Sequence, residues 1–118
     1  MNLLNLEDDK FKTVTAKGYK FRIKFMTPKD RIQITQKRVS LQNGNPIEAF
    51  TQDDFLFFEN IAVIDVCVDD MPEGFNQNES CLNWDDVGLV NELAHEIRKH
   101  TLDVESRLKK NKPIDGGK

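Results

Sequence analysis

The sequence predicts an α+β fold: an N-terminal β-hairpin packed on a three-helix, mostly α-helical domain. Three observations carry that expectation. Tyr19, Phe21, Ile23 and Phe25 alternate with Lys20, Arg22 and Lys24, which is the period of a strand with one apolar and one basic face. Two later segments carry apolar residues behind capping residues, one as a continuous run and one at a 3–4 spacing, which is the pattern of helices. The chain has 118 residues, the length of one domain. The expected organisation is a flexible leader at 1–10, one globular domain at 11–108 and a flexible basic tail at 109–118.

The hairpin is expected over 11–26. Thr13-Val14-Thr15-Ala16 is its first strand, and Lys17-Gly18 is the turn, where Gly supplies a positive φ. Two strands alone are marginal in water, so the apolar face must lie on helices or on another sheet. The first helix, near 28–42, opens at Thr27-Pro28-Lys29-Asp30. Thr is a good N-cap, Pro is tolerated at the first helical position, and Asp in the first turn suits the dipole. It stops at Asn43-Gly44-Asn45-Pro46. Its apolar side is thin (Ile32, Ile34, Val39, Leu41), so much of it is expected to face water or a partner.

The second helix, near 52–69, opens at Thr51-Gln52-Asp53-Asp54, a capping-box pattern. Phe55 to Val68 is apolar nearly all round, which makes it the central helix, although a strand over Ile61–Val68 has the same pattern. Asp65 interrupts it and is expected at a solvated edge or in a hydrogen bond to a neighbour. A polar loop follows. The third helix, near 84–108, carries Leu89, Val90, Leu93, Ile97, Thr101, Val104 and Leu108 along one side, with Asp85 and Asp86 early and Lys109 and Lys110 late.

Composition narrows the class. Apolar residues make up 38%, enough for a modest core, and no run approaches the ~20 residues of a membrane span. The first residues have neither the basic start nor the apolar length of a signal peptide. Cys67 and Cys81 are too few for a disulfide scaffold and suit buried, reduced thiols. The net charge of −3 is ordinary, but its distribution is not. Residues 10–38 carry ten Lys or Arg and one acid, residues 39–97 carry thirteen acids and no Lys or Arg, and residues 98–118 are basic again. Such blocks either neutralise one another inside the folded chain or meet between subunits and partners.

The motifs of chemistry are missing. There is no phosphate loop, dinucleotide fingerprint, nucleophile elbow or CxxC. His95 and His100 are five apart and so lie about 140° from each other on a helix, whereas zinc-protease histidines are four apart. Cys67 or Cys81 with His95 would need folding to bring the pair together. No catalytic residue, metal or cofactor is expected, and the chain is read as a non-enzyme.

The candidate interaction surface comprises Lys20, Arg22 and Lys24 on the strand, Arg31 and Ile34 on the thin helix, and Trp84, Asp85 and Asp86 at the opening of the third helix. Trp84 suits a core position or an interface anchor. A nucleic-acid surface is the alternative use of the hairpin, since aromatics interleave with Lys and Arg. Tyr19, Phe21 and Phe25 fall on the face opposite the charges, however, and a stacking platform needs both on one surface.

The order of segments is a basic hairpin running into Phe25-Met26-Thr27-Pro28-Lys29-Asp30-Arg31-Ile32, then a polar helix ending at Leu41-Gln42-Asn43-Gly44. An apolar helix follows, ending in Val66-Cys67-Val68 with a Met71-Pro72 loop. Leu82-Asn83-Trp84-Asp85-Asp86 then leads into Leu89-Val90-Asn91-Glu92-Leu93 and a basic tail. Over roughly residues 10–110 this resembles the small tail assembly chaperones of long-tailed bacteriophages. The resemblance implies a non-enzymatic protein of the host cytoplasm. It implies a protein that binds and shields the tape measure protein, promotes assembly of the tail tube and self-associates. It carries over no ligand set. Family members often also have a frameshift-extended form. Lys109-Lys110-Asn111 and Gly116-Gly117-Lys118 are both encodable by slippery heptamers, which the gene sequence would reveal.

Overall fold

The computed structural model describes residues 10–111. The expected leader lies outside them except for Lys10, whose carbonyl accepts from the Phe25 N–H, and the end of the expected tail, 112–118, lies outside them too. Strands β1 (Phe11–Ala16) and β2 (Tyr19–Lys24) form the hairpin. Lys17 and Gly18 have φ of 51° and 84°. Positive φ at both central residues is the tight two-residue turn whose twist matches the strands it joins. It sets Ala16 opposite Tyr19 and Phe11 opposite Lys24. Val14, Ala16, Phe21 and Ile23 therefore share the inner face and are buried, while Thr13, Thr15, Lys20 and Arg22 share the outer face.

Helix α1 (Pro28–Leu41) begins with a complete capping box: the Thr27 hydroxyl accepts from the Asp30 N–H, and the Asp30 carboxylate accepts from the Thr27 N–H. Helix α2 runs from Gln52 to Cys67, with the Thr51 hydroxyl accepting from the Asp54 N–H. It ends two residues before the boundary expected from sequence. Val68–Asp70 instead forms β3, which pairs antiparallel with β2 at Arg22–Asp70 and Ile23–Val68. The hairpin is thus part of a three-stranded sheet of order β1-β2-β3, with β2 in the middle.

Helix α3 spans Val87–Asn111. It starts three residues later than expected because Asp86 stands outside it as the cap, its carboxylate accepting from the Leu89 N–H at 3.1 Å. At its other end the helix continues through 109–111, which the sequence assigned to a flexible tail. Among the described residues no helix is long and apolar enough to cross a membrane.

The core lies between the inner face of the sheet, the C-terminal half of α2 (Ile61, Ala62, Val63, Ile64, Cys67) and one stripe of α3 (Leu89, Val90, Leu93, Ala94, Ile97). Ile34 of α1 closes one side. The exit of the hairpin is tied to α3 by Thr101, whose hydroxyl accepts from the Met26 N–H and donates to the Ile97 carbonyl, both at 2.9 Å. That doubly used hydroxyl accounts for a buried polar residue on an apolar stripe.

Candidate interaction surfaces

The residues selected from sequence do not form one constellation. Lys20 is exposed on the outer face of the sheet. Arg22 lies beside it with its guanidinium 4.1 Å from the centre of the Phe11 ring and 3.0 Å from the Asp69 carboxylate. Lys24 sits 3.1 Å from Asp30, so its charge is engaged at the start of α1. Arg31 reaches across to Glu105 of α3 at 3.0 Å.

Ile34 is not at the surface. It is 6% exposed, because α1 turns it onto the core, with Leu41 of the same stripe half-buried against that core. Exposed Ile32 and Val39 flank it in sequence. Trp84 is half-buried in an aromatic cluster, its ring centre 5.1 Å from Phe75 and 5.9 Å from Phe21. Phe75 also meets Tyr19 edge-on at 5.1 Å, so one loop residue covers the turn end of the hairpin. Asp85 is exposed, and Asp86 is the α3 cap.

Asp65 takes a hydrogen-bonded role. Its carboxylate accepts from the Ser80 hydroxyl and from the Cys81 N–H at 2.9 Å, and Lys37 Nζ stands 3.6 Å away. A carboxylate on the apolar helix is thereby satisfied by the loop and by α1. The charge blocks meet in the same way inside the chain. Arg22–Asp69, Lys37–Asp65 and Arg98–Glu59 each join a basic block to the acidic one, and Glu92 accepts from the Lys17 N–H at 2.7 Å.

Neither thiol is set up as a nucleophile. Burial pushes the Cys67 thiol up to about 12 and raises Cys81 as well, with the Asp65 charge as a second cause. Cys81 donates to the Ile61 carbonyl. His100 is buried against Phe25, with Nε2 3.3 Å from the Lys10 carbonyl oxygen, while His95 is exposed on another side of α3. Among the described residues no group of three or more His, Cys, Asp or Glu is arranged to hold a metal ion.

Two features were not picked out from the sequence. Phe11 lies on the basic face of the sheet; drawing the hairpin register from a two-residue Lys17-Gly18 turn would have placed it opposite Lys24. The second is a groove of about 460 Å³ between α2 and α3, lined by Asp53, Asp54, Leu56, Phe57, Asn60, Val87 and Asn91. Its apolar walls are open: Leu56 is 45% exposed and Val87 57%. Leu56 and Asn60 stand one turn apart on α2, as do Val87 and Asn91 on α3, and the Asn60 amide donates to Asn91 at 3.1 Å across the gap. No local sequence signal marks this groove, since it depends on how two helices cross.

No family model, curated protein or solved structure matches the chain. Among the described residues the fold class is that of an α+β domain with a three-stranded antiparallel sheet and three α-helices.

Proposed function

We propose that this protein is a tail assembly chaperone of a long-tailed bacteriophage. It acts in the host cytoplasm without enzymatic chemistry, binds and shields the tape measure protein, and promotes assembly of the tail tube. The observation that supports this best is the open groove between α2 and α3, where exposed apolar side chains stand beside carboxylates. The resemblance in segment order points the same way.

Co-expression with the tape measure protein encoded in the same gene cluster tests it. The tape measure protein should be soluble and co-purify with this chain, and should aggregate without it. If it aggregates to the same extent in both cases, the proposal fails.

A nucleic-acid-binding regulator is the second possibility. It is favoured by Phe11, which shares the outer sheet face with Lys20 and Arg22. Against it, Arg22 and Lys24 already hold Asp69 and Asp30, leaving Lys20 as the one member of the strand triad without an ion pair among the described residues. A surface so neutralised has few counterions to release. We expect no measurable binding to random duplex or single strands in ~0.15 M salt, where the Debye length is about 8 Å. A micromolar shift there would favour the regulator.

A further inference from the structure

We propose that the α2–α3 groove is the dock for one class of partner: an amphipathic helix that inserts aliphatic side chains between Leu56, Phe57 and Val87 and flanks them with Lys or Arg. The inference rests on the reading of the chain as a binder of helical proteins, and it adds the site and the charge of what is bound.

The charge follows from how the acids of the molecule are used. Asp30, Glu59, Asp65, Asp69, Asp103 and Glu105 each hold a cation of the same chain. Asp53 and Asp54 hold none among the described residues; they share that with acids elsewhere such as Asp70, Glu73, Glu79 and Asp85, but they are the two that line the groove, and the sequence places no Lys or Arg anywhere in 39–97. The first turn of a helix by itself attracts anions. Here the Thr51 hydroxyl already takes the Asp54 N–H, and two carboxylates stand over that end. These two carboxylates, without an ion pair of their own, are complementary to a cationic flank.

The partner's conformation follows from the walls. Both are helices, so the groove has no sheet edge to which an extended strand could add. A helix carries its own backbone bonds and presents only side chains. The Asn60–Asn91 bond closes the groove at one place with a polar cross-link, so the aliphatic anchors belong beside Leu56 and Val87. Exposed Ile32 and Leu102 supply an internal control, being comparable apolar side chains away from the groove.

The test uses the full chain and fluorescent peptides of about 18 residues, five helical turns. One carries Leu at helical spacing on a Lys background, a second has the same Leu positions on a Glu background, and a third alternates Leu and Lys with the period of a strand. The first should bind, and the other two should bind at least about tenfold more weakly. The Leu56→Ser/Val87→Ser pair should weaken the first peptide by about tenfold or more, and the Asp53→Asn/Asp54→Asn pair should weaken it and flatten its salt dependence. The Ile32→Ser/Leu102→Ser pair should leave it unchanged. Thermal melts accompany each variant, so that a loss of fold is seen as such, and Leu56→Ala with Val87→Ala is the milder pair for that case. Equal binding of the Glu peptide, or equal loss in the Ile32/Leu102 pair, overturns the proposal. So does a tape measure protein still captured by the Leu56/Val87 pair; the chaperone assignment survives that result, whereas failure of capture by the unmodified chain removes the assignment itself.

Discussion

Phe55-Leu56-Phe57-Phe58 and Ile61-Ala62-Val63-Ile64 are two apolar runs of one helix, and only the second is fully buried. By residue type the first has more to gain from burial, since three of its four side chains are aromatic. What separates them is coverage. The second run lies where the inner face of the sheet and the stripe of α3 converge. The first borders the N-terminal turn of α3 and a few partial covers: Phe50 meets Phe58 edge-on at 5.0 Å, and Arg38 lies 4.6 Å over the Phe55 ring. Hydropathy sets what burial would contribute, and the reach of neighbouring elements decides whether burial occurs.

The sharpest way to break that comparison is to place a charge in each run. Ile61→Asp would bury an unpaired carboxylate and should cost about 3 kcal/mol or more, a large fraction of the ~5–15 kcal/mol by which an ordinary domain is stable. Phe58→Asp, at a half-buried position, should cost clearly less, and denaturant melts of the two would show it. Equal losses would mean that the first run is as deeply covered as the second.

Asp65 sharpens the contrast from the polar side, because it holds the loop onto the buried run. Asp65→Ala leaves the Cys81 N–H and the Ser80 hydroxyl without their acceptor, and we expect a loss of about 1–3 kcal/mol by the same melts.

Asp30 acts at the start of α1, away from both runs. Burial alone would raise its pKa, but the Thr27 N–H and the Lys24 ammonium outweigh burial and hold it below the usual carboxylate range. A carboxyl whose folded pKa is depressed stabilises above its unfolded value, near 3.9, and that contribution is lost as the pH falls through the folded value. Stability measured from pH 6 downward should therefore fall below about pH 4. Asp30→Asn should flatten that part of the curve at a cost of about 1 kcal/mol near neutral pH.

The smallest effect belongs to the open groove. Leu56→Ser should change stability by no more than about 0.5 kcal/mol, in keeping with a side chain half in water. A loss of 2 kcal/mol or more would place Leu56 in the core after all.

Much of this architecture could be read along the chain because it is local. Period-two alternation and Lys17-Gly18 set the hairpin, Thr27-Pro28-Lys29-Asp30 starts α1, and Leu89 to Val104 marks the buried side of α3. The parts that could not be read are non-local. Val68–Asp70 looks like the polar end of a helix, and it becomes a strand because β2, far upstream in sequence, offers an open edge. Ile34 resembles Ile32 in every local respect, and only the packing of α1 on α2 buries one and exposes the other. The ion pairs between the charge blocks were legible as a possibility, but which acids would be left over was not.

The bond from the Met26 N–H to Thr101 has a consequence in time. During synthesis, at ~5–20 residues per second, the hairpin leaves the ribosome several seconds before the helix that anchors it. Until α2 and β3 emerge, Phe21 and Ile23 have no cover and β2 has only one of its two neighbours, and the side of the core that α3 closes stays open longer still. Pairing across such separations is slow compared with hairpin closure. The nascent chain therefore passes through a stage in which it shows an apolar sheet face to water, and a chain halted before α3 would keep part of that face open.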